Sequence, residues 1–283
     1  MRKPAPVTRR QALATLAAGT VAARHAFSAA APLFRYSALD HLAIAVEDTG
    51  KSVRFYARVF GNDVLKEKNG PRHYVKLGPN YIAMAPPAAG EKSRIVHHMC
   101  PGIVGFDHAA TKRALDQLGL KYRESPTVGF FVGDPDGTQI QLWTENSWAP
   151  IHQTAIPANI PSQGEPLIRP TALDHALIYV SNVEKSVEFY EKILGPIINP
   201  SSRPRRTWFS GGGHDRVALG LAGPGEKVGV HHFCLTANFE RASLSKSLEA
   251  VGAKIIPGDV AAGLDFLDPN GVHIQILPPN RQG

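Results

Sequence analysis

The sequence predicts an α+β fold made of two duplicated halves, and three observations carry that prediction. First, three pairs of segments repeat at one offset of 134 residues (173 against 39). They are Leu39-Asp40-His41 and Leu173-Asp174-His175, Val96-His97-His98-Met99-Cys100 and Val230-His231-His232-Phe233-Cys234, and Asp134-Pro135-Asp136-Gly137 and Asp268-Pro269-Asn270-Gly271. Second, each half alternates short β-branched apolar runs with amphipathic stretches that stop at glycine. Third, residues 147–170 break all periodicity and contain Pro150, Pro157, Pro161, Pro166 and Pro170, which reads as a stiff linker. The organisation expected is a leader at 1–31, a first domain at 37–146, the linker, and a second domain at 171–280.

The leader comes first. Thr8-Arg9-Arg10-Gln11 precedes a short apolar run to Ala23, then Arg24 and the small residues Ser28-Ala29-Ala30-Ala31. Paired arginines before a weakly apolar core resemble a twin-arginine export signal. The run is shorter than the roughly 20 apolar residues that span a bilayer, so the mature chain is expected to have no membrane span. The resemblance implies the twin-arginine export machinery as a partner of the precursor and a periplasmic or extracellular destination.

In the first half, Leu39 to Val46 reads as a buried strand. Asp48 and Thr49 offer a cap for a helix from Lys51 to Phe60, and Gly61 ends it. Strands follow at Arg72 to Leu77 and Tyr81 to Ala85. Arg94 to Val104 opens a second unit of the same plan, with a helix from Asp107 to Leu118 and strands at Gly129 to Gly133 and Thr138 to Trp143. Between the last two, Asp134-Pro135-Asp136-Gly137 suits a tight hairpin. The second half repeats this: a strand at Leu173 to Val180, a helix opened by Ser181 and Glu184 as a capping box, strands at Trp208 to Ser210 and Val217 to Leu221, the repeated strand Val228 to Thr236, a helix capped by Asn238, and a closing strand Val272 to Leu277. Gly211-Gly212-Gly213 lacks the strand–loop–helix context of a phosphate loop and reads as a turn.

The formal charge of +7 is set by the leader. Of 31 basic residues, Arg2, Lys3, Arg9, Arg10 and Arg24 fall there with no acid, which leaves 26 against 24 acids, or +2. A nearly balanced surface gives no footprint for nucleic acid. Cys100 and Cys234, the two cysteines, occupy equivalent places in different domains, so a bridge between them is not expected.

Side chains alternate across a strand, so one histidine of each His-His pair faces a given site. Alignment of the repeats gives an inward set of His41 and His98 in the first half and His175 and His232 in the second. Gln141 and Gln275 follow the hairpin turn at the same distance. Each half thus offers His, His and Gln at spacings of 57 and 43 residues. His273, two residues before Gln275, shares its face and reads as an acid–base group, a fourth ligand or a core histidine. Cys100 and Cys234 share the face of His98 and His232, as thiolate ligands or as small buried hydrophobes.

Four strand–helix–strands units, an Asp-His start to each half and a closing D-P-[DN]-G-x-x-I-Q strand resemble the vicinal oxygen chelate superfamily. That group includes glyoxalase I, type I extradiol dioxygenases and bleomycin-resistance proteins. The resemblance implies tandem βαβββ modules, four in all, paired into two glyoxalase-like domains that each form an open sheet cup. It implies metal ligands at His175, His232 and Gln275, and in the first domain at His41, His98 and Gln141. Gln275 stands where a glutamate is usual, and glutamine brings no charge to hold a metal. The divalent metal expected is Fe(II), with Zn, Mn or Ni as alternatives.

His214 matches a histidine beside the metal in the ring-cleaving members, whereas the place of their tyrosine reads Phe130-Phe131 and Asp265-Phe266. Arg203, Arg205 and Arg206 would meet an anionic substrate or form a solvated loop. The function implied is an exported metal-dependent enzyme, extradiol-dioxygenase-like, acting on a small molecule that chelates through vicinal oxygens, as a monomer or homodimer. Alternatives are a glyoxalase-type lyase or isomerase, a non-catalytic binding protein, and a metal carrier.

Overall fold

The computed structural model describes residues 33–88, 96–161, 164–199 and 206–279. The leader, Arg203 and Arg205 lie outside the described residues. No helix among the described residues is long and apolar enough to cross a membrane.

The first module runs β1 (Tyr36–Ala45), α1 (Thr49–Phe60), β2 (Val64–Glu67), β3 (His73–Leu77) and β4 (Asn80–Ala85). Asp48 caps α1, its carboxylate accepting from Lys51 N–H, and Gly61 ends the helix at φ 121°. The buried face of α1 carries Val53, Phe55, Tyr56, Val59 and Phe60, the helical spacing legible in the sequence. The second module is β5 (Val96–Ile103), α2 (His108–Gln117), β6 (Tyr122–Ser125), β7 (Gly129–Gly133) and β8 (Gln139–Thr144), with Asp107 capping α2. The second half repeats both modules. One is β10 (Ala172–Val180), α4 (Val183–Leu194), β11 (Ile197–Asn199), β12 (Thr207–Gly212) and β13 (Asp215–Leu221). The other is β14 (Gly229–Thr236), α5 (Arg241–Ala250), β15 (Lys254–Ile256), β16 (Leu264–Leu267) and β17 (His273–Leu277).

Modules join in pairs through their first strands. β1 runs antiparallel to β5 and β10 antiparallel to β14, while each also has a parallel neighbour, β4 and β13 respectively. The result is a nine-stranded sheet ordered β6-β7-β8-β5-β1-β4-β3-β2-β9 and an eight-stranded one ordered β11-β12-β13-β10-β14-β17-β16-β15. Two α+β domains of tandem βαβββ modules are therefore what the chain forms.

Several local readings are corrected. The stretch read as linker holds α3 (Trp148–Thr154) and then β9 (Ala155–Pro157), which extends the first sheet beside β2. Its prolines suit an edge strand and a helix's first turn. The cap of α4 is Asn182, accepting from Lys185 N–H, and not Ser181; the Ser181 hydroxyl instead reaches Asp136, 2.5 Å away. Glu240, not Asn238, caps α5, accepting from Ala242 and Ser243 N–H. The short strands β2, β6, β11 and β15 carry too few residues for a period to show. Of the glycine triplet read as a turn, only Gly213 lies in one: Gly211 and Gly212 end β12, and a Cβ on Gly212 would sit 2.5 Å from the Ser37 carbonyl carbon, so this hairpin lies directly on β1 of the other domain.

The two domains meet through contacts that repeat with the sequence. Tyr56 on α1 donates to Asp268 Oδ2 at 3.0 Å, and its counterpart Tyr190 on α4 donates to Asp134 Oδ2 at 3.0 Å. Leu39 N–H donates to Asp215 Oδ2 at 2.8 Å, and Leu173 N–H to Asn80 Oδ1 at 2.9 Å. Each half uses equivalent positions on the other, the mark of a pseudo-two-fold interface.

Candidate functional site

Two bulges in each sheet shape its site. In β1 against β5, His41, Leu42 and Ala43 pair with Cys100, Met99 and His98, but Ile44 pairs with Val96, so His97 is an extra residue. Asp40 is extra in the same way between Leu39 and His41. In the second sheet the extra residues are His231 and Asp174. A bulge re-aims the side chain it carries. Strict alternation would send His97 and His231 away from the site. Instead His97 Nδ1 lies 2.8 Å from His98 Nδ1, and His231 Nδ1 lies 2.9 Å from His232 Nδ1.

The bulged aspartates act on the first-strand histidines. His41 Nδ1 is 2.8 Å from Asp40 Oδ1, and His175 Nδ1 is 2.5 Å from Asp174 Oδ1. A carboxylate there accepts a hydrogen bond from Nδ1–H, holds the proton on that nitrogen and leaves the Nε2 lone pair to bind an ion. Burial alone would push Asp40 and Asp174 up. The histidine bonds, with Ser147 for Asp40 and Arg216 for Asp174, outweigh it and hold both carboxyls below the ordinary value. Sequence reasoning missed this role, although the repeated Asp-His pair was in view.

In the first cup, Gln141 is oriented by its amide nitrogen, which donates to the Val128 carbonyl at 2.8 Å, and its Oε1 lies 3.1 Å from His41 Nε2. The His98 ring stands edge-on to His41 at 5.6 Å, and among the described residues its buried Nε2 makes no well-formed hydrogen bond, although the Gln141 side chain lies beside the ring. Burial, then the charges of His41 and His97, hold His98 well below the ordinary histidine value, so it is neutral at pH 7. These three side chains lie on a cavity of about 870 Å³.

In the second cup the arrangement differs. His175 Nε2 and His232 Nε2 stand 3.2 Å apart. Two nitrogens bound to one ion at about 2.1 Å each, at an angle between about 90° and the tetrahedral value, stand about 3.0–3.4 Å apart. Both rings are held below the ordinary value by burial, opposed by Asp174 at His175 and reinforced by the His175 and His273 charges at His232. Gln275 turns its amide nitrogen to Asp265, 3.2 Å from Oδ1. His273 Nε2 also meets Asp265 Oδ1, at 2.8 Å. His231, His232 and His273 bring one ring nitrogen each within 4.8 Å of one another. Burial, then the His273 charge, lowers His231 to about 4.

Asp265 is the second group the sequence reading passed over as a contributor. It is buried on β16 beside Gln275, and its signal was an acid inside the apolar run Leu264-Asp265-Phe266-Leu267. His214 is exposed at the β12–β13 turn, and among the described residues no contact joins it to the histidine cluster. Cys100 and Cys234 are buried beside His41 and His175 and form no disulfide among the described residues, and burial pushes the Cys100 thiol well up, so it sits as a small hydrophobe. Arg206 is held by Asp259 at 2.8 Å.

The donor sets fit a divalent ion. His98, His175 and His232 are held neutral with Nδ1 already engaged, and the lone pair of His98 Nε2 and the close His175–His232 pair are the arrangements an ion would satisfy.

A family model described as the glyoxalase/bleomycin resistance protein/dioxygenase superfamily matches residues 38–142 and 172–276. No curated protein matches. Among solved structures, the 2,3-dioxygenase LapB from Pseudomonas sp. KL28 superposes with a TM-score of 0.58 at 16% identity, covering 87% of this chain and 94% of that one. A catechol 2,3-dioxygenase superposes at 0.59 with 14% identity, covering 88% and 91%. The Mn(II)-bound glyoxalase from Novosphingobium aromaticivorans gives 0.60 at 13% identity, covering 86% and 82%. At such identities the likeness is one of fold.

Proposed function

The chain belongs to the glyoxalase/bleomycin resistance protein/dioxygenase superfamily, and on that premise we propose that it is a metal-dependent enzyme, extradiol-dioxygenase-like, whose chemistry lies in the second cup. The substrate is a small molecule that chelates through adjacent oxygens. The observation that carries this reading is the pair of buried, neutral imidazoles whose Nε2 atoms stand 3.2 Å apart. His175 and His232 would hold the metal, with Gln275 beside them. Fe(II) is the ion we assign, and His41, His98 and Gln141 form the corresponding first-cup site. A divalent metal held there supplies Lewis acidity toward the substrate oxygens.

The chain's own residues supply the rest. Asp174 fixes the His175 tautomer. Asp265 accepts from His273 Nε2–H, which leaves His273 Nδ1 as a base toward a bound hydroxyl, and the Asp265 carboxylate provides the negative charge that Gln275 lacks. The whole reading is tested by loading the protein anaerobically with Fe(II) and following oxygen uptake and ring-cleavage absorbance on catechols, beside hemithioacetals. We expect catechol turnover that disappears in His232→Ala and falls sharply in His273→Ala with metal retained. Bound metal with no turnover on catechols rejects the dioxygenase assignment.

We further propose export by the twin-arginine route, on the strength of Arg9-Arg10 and the apolar run behind them. Fractionating cells and sequencing the amino terminus tests it; a chain that stays in the cytoplasm with Met1 to Ala31 intact refutes it.

A further inference from the structure

The repeat allows the two cups to be compared position by position, and their charge has diverged. Arg206 in the second half corresponds to Arg72 in the first. Arg206 is tied to Asp259 at 2.8 Å, and Asp265 lies deeper in the same cup. Counted at the 134-residue offset, the first cup has Ser125 and Phe131 there, in a loop one residue shorter between its paired strands. Both acids are thus absent where the arginine is kept. Arg72 meets a single carboxylate among the described residues, Glu67 Oε1 at 3.4 Å, and also hydrogen-bonds Tyr74.

A further cation is added on the same rim. The Arg123 guanidinium lies 3.9 Å over the Phe131 ring, and Phe131 in turn meets His98 edge-on at 5.3 Å. Among the described residues no carboxylate pairs with Arg123. Around the cavity of about 870 Å³, Lys68, Arg72 and Arg123 face Glu67, the one acid among the described lining residues. The walls between carry Tyr74, Phe131 and Trp143. A pocket of that size suits a small organic molecule. Guanidinium groups above aromatic walls recognise a planar ring bearing an anionic group, one part stacking and the other accepting forked hydrogen bonds.

We propose that the first cup is a separate binding site for an aromatic carboxylate, with Arg72 and Arg123 gripping the carboxylate and Phe131, Tyr74 and Trp143 contacting the ring. The site goes beyond the second-cup chemistry and does not depend on it. His273 and Asp265, the proton-handling pair of the second cup, are Gln139 and Phe131 here, so this cup holds its ligand without transforming it.

The test is titration calorimetry on chelator-treated full-length mature protein, with 2-naphthoate as the probe and 2-naphthamide as its neutral isostere. The chelator removes any metal-borne affinity for the carboxylate. Naphthoate should bind at one site per chain, about tenfold or more tighter than the amide, since a charge-assisted pair is at stake. Arg123→Gln and Arg72→Gln should each weaken it about tenfold. Ser125→Asp, which restores the acid found in the second cup, should abolish it, and His232→Ala in the other domain should leave it unchanged. No naphthoate binding, equal affinity for the amide, or full affinity in Arg123→Gln and Ser125→Asp overturns the proposal. Because metal is absent throughout, none of these outcomes bears on the second-cup assignment.

Discussion

Asp215→Asn should stabilise the protein, and do so more as the pH rises. Asp215 is 8% exposed in the interface between the domains, where it accepts from Leu39 N–H. Burial pushes its carboxyl up to about 7; the Leu39 N–H bond opposes this, while the Asp174 charge adds to it. In the unfolded chain it titrates near 3.8. Between these two values the folded state binds the extra proton, so stability falls as pH rises from about 4 to about 7, and the full penalty is present above that. At about 1.36 kcal/mol per pKa unit, the penalty is about 1.6 kcal/mol at pH 5 and approaches about 4 kcal/mol above pH 8, as an upper bound.

Asparagine is what the repeat itself places at the equivalent position. Asn80 accepts from Leu173 N–H through Oδ1 and donates from Nδ2 to the Leu39 carbonyl. The Asp215→Asn protein should therefore keep the Leu39 bond and lose the charge. Thermal melts of both proteins at about pH 5 and pH 8.5 would show a gap that widens by about 2–3 kcal/mol, or about 4–12 °C for a chain of this size. A gap of the same size at both pH values, or a variant less stable at the higher one, refutes the reasoning.

Metal loading should raise the melting temperature, because an ion at a hundred times its Kd adds about 2.7 kcal/mol; the increment should shrink in His232→Ala and in His98→Ala, and vanish in the double variant. Tyr56→Phe and Tyr190→Phe remove equivalent bonds to buried aspartates, and each should cost about 1–3 kcal/mol in urea denaturation; a cost confined to one of them contradicts the pseudo-two-fold reading. Gln275→Glu would set a second carboxylate beside Asp265, so the metal-free protein should lose stability above pH 5 while metal affinity increases. Denaturation with and without Mn(II) measures both effects, and an unchanged apo protein counts against the Asp265 contact.

Much of this molecule can be read without coordinates. The offset between repeats, the caps at Asp48 and Asp107 and the stops at Gly61 and Gly195 are local chemistry, and local chemistry survives folding. The pairing of His41 with Gln141 and of His175 with His232 was also legible, because the two halves constrain each other. The bulges were not. A bulge depends on how two distant strands fall into register, and it leaves no mark in the period of either one. Asp40, Asp174, His97 and His231 were therefore assigned by alternation to the wrong side or given no role. Asp265 was visible as a charge in an apolar strand but could not be placed, since β16 reaches the cup only through its antiparallel pairing with β17. The proline-rich stretch hid a helix and an edge strand because its order comes from contact with β2 and with Asp40, through Ser147.

The tyrosine bonds across the interface carry one more implication. Asp134 and Asp268 close the hairpins from which β8 and β17 depart, and those strands bear Gln141 and Gln275. Severing the gene at its midpoint would strand one phenol and one buried acid on either fragment, at the root of the very strand that floors its cup. Neither fragment should then behave as an autonomous miniature of the whole. A protein with a single cup of this kind would have to meet a second copy of itself through this same seam, an encounter that the tandem chain makes permanent.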